Sequence, residues 1–160
     1  MSYDPRTIAF LAEIIHPPIS PLEAQAVQRI HNALFQQPEI SYQSFQVNHD
    51  GIHLTNLPPT PGAVSSVTFT PDRLIFREEL QGTTPEDFAT RLVNVSNIAF
   101  AELGIESSLA QQFVIRSLVN PRQVKDSREF LAHHVLGGGP ERFAPFGRPL
   151  QTIGLSFQFP

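Results

Sequence analysis

Imidazole and guanidinium are the side chains of this sequence with the most chemistry to offer. The first is a metal ligand or general base near neutral pH, the second a planar fork for carboxylate or phosphate oxygens. Six histidines stand at His16, His31, His49, His53, His133 and His134. His49 and His53 have the look of a ligand pair, but they flank Asp50-Gly51, a hairpin dipeptide expected to pair position 49 with 52 and 48 with 53. Their rings then project to opposite faces, and His53 shares a face with Asn48 as an exposed polar pair. His133 and His134 are adjacent on an expected helix and diverge by about 100°, unlike an i, i+4 ligand pair. One of them facing the core, hydrogen-bonded to backbone, is the simpler reading. With no cysteine in the chain, a thiolate metal site, a disulfide scaffold and a cysteine nucleophile are excluded, and neither a metal nor a cofactor is expected.

Arginine offers more. Of eleven basic residues ten are Arg. The segment from Gly137 to Pro149 holds three consecutive glycines with Arg142 and Arg148 close by, a composition whose bare N–H groups and guanidinium forks could wrap an anion. Arg116, Arg142 and Arg148, with His133 or His134 as acid or base, are therefore the candidate anion-binding set. No Lys-Ser/Thr follows the glycines, and they come after a helix rather than between strand and helix, so this is neither a P-loop nor a dinucleotide fingerprint. A connector anchored by Phe143 and Phe146 is the competing reading. Ser156 lacks the second glycine of a nucleophile elbow. Glu78-Glu79 would point to opposite faces of a strand, and Glu86-Asp87 suits a helix start, where the macrodipole favours negative charge.

The net charge of −4 conceals an asymmetry. Residues 1–106 carry five Arg against twelve acids, giving −7, whereas residues 107–160 carry six basic residues against three acids, giving +3. The plain expectation is that the two parts face each other or a symmetry mate. An acidic chain with a single lysine disfavours nucleic acid as partner. No run of 18 apolar residues exists to cross a bilayer, and the first apolar stretch, Ile8 to Ile15, has no basic leader, so a cytoplasmic location is the default expectation.

The elements that must position these groups follow from caps and periodicity. Ser20-Pro21-Leu22-Glu23 predicts a helix with Ser20 as N-cap and Pro21 at its first position, ended by Pro38. Thr84-Pro85-Glu86-Asp87 repeats the device, and Phe88, Leu92, Val95, Ala99 and Leu103 form a stripe that stops at Gly104. A shorter helix is expected from Asp126 or Ser127, with Glu129 completing a capping box to Asp126, to Gly137. Strands are expected around Asp50-Gly51, at Val67–Phe69 and Leu74–Phe76 across a Pro71-Asp72 turn, at Phe113–Val119, and at Ile153–Phe159. Ile8–Ile15 fits either a helix face or an inner strand, and the strand is preferred. The order is β-α-β-β-β-β-α-β-α-β. It predicts one α+β domain over 1–160: a mostly antiparallel sheet with two principal helices packed on one face. At about 160 residues such a chain buries roughly 70% of its unfolded surface and needs no staple.

The helix Phe88–Phe100 followed by Phe113-Val114-Ile115-Arg116-Ser117-Leu118-Val119-Asn120 resembles an uncharacterised, sporadically distributed bacterial family, in which a long helix precedes a strand that bears an Arg and ends in Asn. The resemblance covers the middle half of the chain and leaves the tail from Gly137 unmatched. It implies a similar α+β sheet and assigns no functional residue.

These readings converge on a non-catalytic binding or protein-interaction module that self-associates as a homodimer, with alternating Phe157 and Phe159 offering a second copy an apolar surface if their strand lies at a sheet edge. The alternative is a small enzyme or ligand-binding protein that holds an anionic metabolite through the Arg/His set.

Overall fold

The computed structural model describes residues 5–119, 127–135, 137, 138, 145 and 147. Their contacts divide the chain into two compact units, Thr7–Ser117 and a second made of Met1–Arg6 with Leu118–Pro160. In the second unit the described elements are a four-residue helix, α3 (Ser127–Phe130), and a π-helical turn, Leu131–Val135. The expected capping box at Asp126 and the strand Ile153–Phe159 lie outside the described residues.

The larger unit is an α+β layer. Six strands, β1 (Pro5–Ile15), β2 (Ser44–Asn48), β3 (Gly51–Thr55), β4 (Val64–Thr70), β5 (Arg73–Glu79) and β6 (Ala110–Val119), form one antiparallel sheet in the order β2-β3-β4-β5-β1-β6. Two helices, α1 (Ala24–Phe35) and α2 (Pro85–Leu103), cover one face. Alternation in the strands produces that one-sidedness. Phe10, Ala12 and Ile14, Ile52 and Leu54, Val67 and Phe69, and Leu74 and Phe76 are buried against Val27, Ile30 and Leu34 of α1 and Phe88, Leu92, Val95 and Ala99 of α2. Phe10 and Phe88 stack with ring centroids 5.1 Å apart. The opposite face carries Glu13, His53, Ser66, Thr68, Arg73 and Arg77, as a solvated sheet face should. Ile8–Ile15 is thus a strand, as preferred.

α2 begins and ends where its sequence says. Thr84 Oγ1 accepts from the Asp87 N–H at 3.1 Å, Pro85 opens the first turn, and Gly104 closes the helix at φ 67°. α1 does not. It starts at Ala24 with Glu23 in extended conformation at the N-cap and no side-chain cap, and the Ser20–Pro21 bond is cis. The segment before it is tied to the β4–β5 turn, His16 N–H donating to Asp72 O (2.9 Å) and Ile19 N–H to Pro71 O (2.7 Å), so the chain travels extended past Ser20 before it coils.

The first hairpin is also one step out of the expected register. Asn48 faces Gly51, Val47 faces Ile52 and Gln46 faces His53, leaving His49-Asp50 as the two-residue loop. His53 is therefore not paired with Asn48; its Nδ1 contacts Thr68 Oγ1 (2.9 Å) and its Nε2 Asp50 Oδ1 (3.1 Å), and this bond to His53 is the largest of the effects holding the Asp50 carboxyl below its usual range. Gly51 stands at φ 144°, where a Cβ would come within 2.7 Å of Phe69 O. The backbone oxygen cannot retreat without breaking the β3–β4 ladder. Gly51→Ala is expected to lower stability by about 2 kcal/mol, read by urea denaturation; an unchanged midpoint would show that the hairpin tolerates a side chain there.

Candidate functional site

Two places in the larger unit depart from an ordinary α+β layer: a buried polar knot beneath a cleft, and an exposed apolar edge strand. The knot begins with Glu78. Strand alternation turns it toward the helices while Glu79 points to the open face, and it is 3% exposed. A carboxylate so buried requires partners. Arg91 of α2 supplies Nη1 to Glu78 Oε1, Ser65 Oγ donates to the same oxygen at 2.8 Å, and Asn56 Nδ2 donates to Ser65 Oγ at 3.1 Å. The Arg91 guanidinium lies 5.9 Å from the Tyr42 ring centroid, a cation–π distance. Burial pushes the Tyr42 phenol well above its usual range, against the lowering influence of Arg91. Four elements are thus fastened at one point: α2, β5, β4 and the segment leading into β2.

Above Arg91 opens a cleft of about 520 Å³ whose walls include Glu39, Gln81, Thr83, Asp87 and Thr90. Just before Gln81 the chain turns at Leu80, an exposed non-glycine residue at φ 53°, a conformation that costs about 1 kcal/mol. Polar atoms left without partners cluster around this place: Glu78 Oε2, Tyr42 OH, Gln81 Nε2 and Arg91 Nε. A neighbouring void of about 10 Å³, lined by Thr7, Glu78, Gln81 and Thr83 among others, matches the volume of one water molecule.

The edge strand is β6. Its direction follows from two contacts: Leu109 N–H donates to Ile15 O (2.7 Å), and Thr7 Oγ1 meets Ser117 Oγ (3.4 Å). β6 therefore runs antiparallel to β1, with Leu109 opposite Ile15 and Ser117 opposite Thr7. In an antiparallel ladder the residues of a hydrogen-bonded pair turn both N–H and C=O to the same neighbour, and the next residues turn both away. Leu109 bonds to β1, so the odd-numbered residues of β6 bond inward and Gln112, Val114 and Arg116 present their backbone groups outward. The strand order puts no described strand on that side. Phe113 (55% exposed) and Ile115 (63%) sit on the open face beside Leu11 and Ala9, and Val114 (36%) sits on the helix side.

The sequence-derived anion set is placed as follows. Arg116 is exposed on β6, and its charge adds to that of Arg77, the principal cause, in holding the Glu79 carboxyl below its usual range. His133 and His134 are both exposed on the π-helical turn, so neither faces a core; the His134 ring lies 5.4 Å from that of Phe130. Arg142 and Arg148 lie outside the described residues, as does most of the loop that carries them. Two of the other histidines hold backbone carbonyls: His16 Nδ1–H donates to Pro17 O (2.9 Å) and His31 Nε2–H to Tyr42 O (2.8 Å). Among the described residues no three histidine or acidic side chains gather as a metal site. The knot escaped the sequence reading. Its one signal was Arg91, which falls three residues after Phe88 and one before Leu92, inside the apolar stripe of α2 rather than opposite it.

No family model matches the chain, and neither a curated protein nor a solved structure is similar to it.

Removing one member of the buried pair leaves the other charge uncompensated. Arg91→Ala is expected to cost about 3 kcal/mol, whereas Glu78→Met with Arg91→Met recovers most of it, in a denaturation cycle. Tyr42→Phe, which deletes an unpartnered buried hydroxyl, should be neutral or stabilising. A loss above about 1 kcal/mol would mean that the phenol has a partner in solution.

Proposed function

We propose that this chain is a non-catalytic interaction module that self-associates by adding a strand at the outer edge of β6. The observation that carries the reading is the combination found there: outward-facing backbone groups at Gln112, Val114 and Arg116, flanked by exposed Phe113, Val114 and Ile115. Exposed edge strands are ordinarily blunted by charge, proline or shortness, because unpaired N–H and C=O groups recruit other strands. β6 is ten residues long, has no proline and carries a single charge, Arg116. The other edge, β2, has five residues, half the length. The longer, more apolar edge is the one suited to strand addition, in which main-chain bonds supply affinity and alternate side chains supply specificity.

Ile115→Lys places a charge on the exposed apolar surface without touching the core. Sedimentation or light scattering over a range of concentrations should show a dimer for the parent chain and a monomer for this variant, with unchanged thermal unfolding of the dilute protein. A parent chain that stays monomeric at high concentration would overturn the reading. A melting temperature raised by inorganic phosphate in that monomer, and no longer raised after Arg116→Ala, would favour an anion-binding protein instead.

A further inference from the structure

Resting on the self-association just proposed, we infer that the second occupant of the β6 edge is another copy of β6, run antiparallel about a two-fold axis through Val114. The partner is identified by self-complementarity. A two-fold interface must present the same patch to itself, so a strand that pairs with its own copy must read alike from its centre in both directions. Around Val114 the sequence is Gln112-Phe113-Val114-Ile115-Arg116: polar, apolar, apolar, apolar, polar.

Backbone parity restricts the register. Only even-numbered residues of β6 present outward N–H and C=O groups, so even positions must bond to even positions, and among the central residues the axis can pass through Gln112, Phe113, Val114, Ile115 or Arg116. Through Gln112, Phe113 faces Gln111 and Val114 faces Ala110 of the second copy. Through Arg116, two guanidinium groups meet head-on, a destabilising like-charge pair. Through Phe113, Val114 faces Gln112 and Ile115 faces Gln111 of the second copy. Through Ile115, Val114 faces Arg116 and Phe113 faces Ser117. Through Val114, each Phe113 faces Ile115 of the other copy, Val114 faces itself as a hydrogen-bonded pair, and Arg116 faces Gln112, an amide whose oxygen accepts from the guanidinium. Every apolar residue then meets an apolar residue and no charge meets its like. The Phe113–Ile115 pairs fall at non-hydrogen-bonded positions, where Cα atoms approach to about 4.5 Å and side chains pack most closely. Both pairs lie on the open face of the sheet, next to Leu11 of each copy.

Pairing these edges covers Phe113, Val114 and Ile115 of both copies, three of the exposed apolar residues of β6. It also joins two six-stranded sheets into one of twelve. Pairing β6 with β2 of another copy would instead be head-to-tail, leave five residues of β6 unmatched, and propagate rather than close.

The absence of native cysteine makes the register directly measurable. Single cysteines placed in turn at positions 112 to 116, all exposed, are oxidised in the full-length chain and the fraction of disulfide-linked dimer is read on a non-reducing gel. The expected profile peaks at Val114→Cys, falls at the two neighbours, whose sulfurs are diagonal at about 7 Å, and is lowest at 112 and 116. A mixture of Phe113→Cys and Ile115→Cys chains should link to each other at least fivefold more than either links to itself. A dimer by mass whose cross-linking peaks at 112, 113, 115 or 116, or is flat, overturns the register and leaves self-association standing. A chain that is monomeric by mass and cross-links nowhere overturns both.

Discussion

A sheet must dispose of its backbone hydrogen bonds, and among the described residues the strand order disposes of all but two rows of them. Antiparallel pairing across five seams satisfies the interior strands, while β2 and β6 each keep one side on which no described strand lies. The β2 side is short, and it carries Gln46 and Asn48 with one exposed apolar residue, Val47, between them. The β6 side is long, and it is flanked by Phe113, Val114 and Ile115. A backbone row that water can solvate is ordinary; the same row lined by apolar side chains is costly to leave wet, and that conflict gives β6 its character.

The rest of the larger unit keeps that edge fixed in direction. Burial of one sheet face under α1 and α2 sets which residues of each strand point in, and the Glu78–Arg91 pair, braced by Ser65 and Asn56, fastens α2 to β4 and β5. Since α2 leads through Gly104 directly into β6, its seat decides where β6 meets β1. The ion pair adds little net stability over an apolar equivalent, but with its partners in place it admits only one arrangement of helix on sheet. The cleft beside it has the size of a small-molecule site, but its walls mix acids with one already-paired arginine.

Much of this was legible in the sequence because it is local. Alternation at Val67–Phe69 and Leu74–Phe76, the Thr84 cap and the Gly104 stop each act within a few residues, and each appears where expected. The misreadings come from longer range. Ser20 has every local mark of a cap, yet hydrogen bonds from His16 and Ile19 to a turn more than fifty residues on decide where α1 begins. Asp50-Gly51 marks a turn correctly, but which two residues form its tip depends on Gly51 passing close to Phe69 O of a different hairpin. The knot joins Asn56, Ser65, Glu78 and Arg91, positions that periodicity cannot bring together. Of the anion set named from composition, Arg116 stands exposed on the outward row of β6, and His133 and His134 are exposed on the π-helical turn.

The amide of Val114 reports most directly on whether that outward row is filled. Its neighbours Phe113 and Ile115 bond to β1 and should exchange slowly at every protein concentration. With a second β6 in place, the Val114 N–H, resolved by NMR hydrogen exchange, gains protection of at least tenfold as concentration rises, and loses it in Ile115→Lys. Fast exchange of Val114 at all concentrations, with Phe113 and Ile115 still protected, would show an edge that water alone covers.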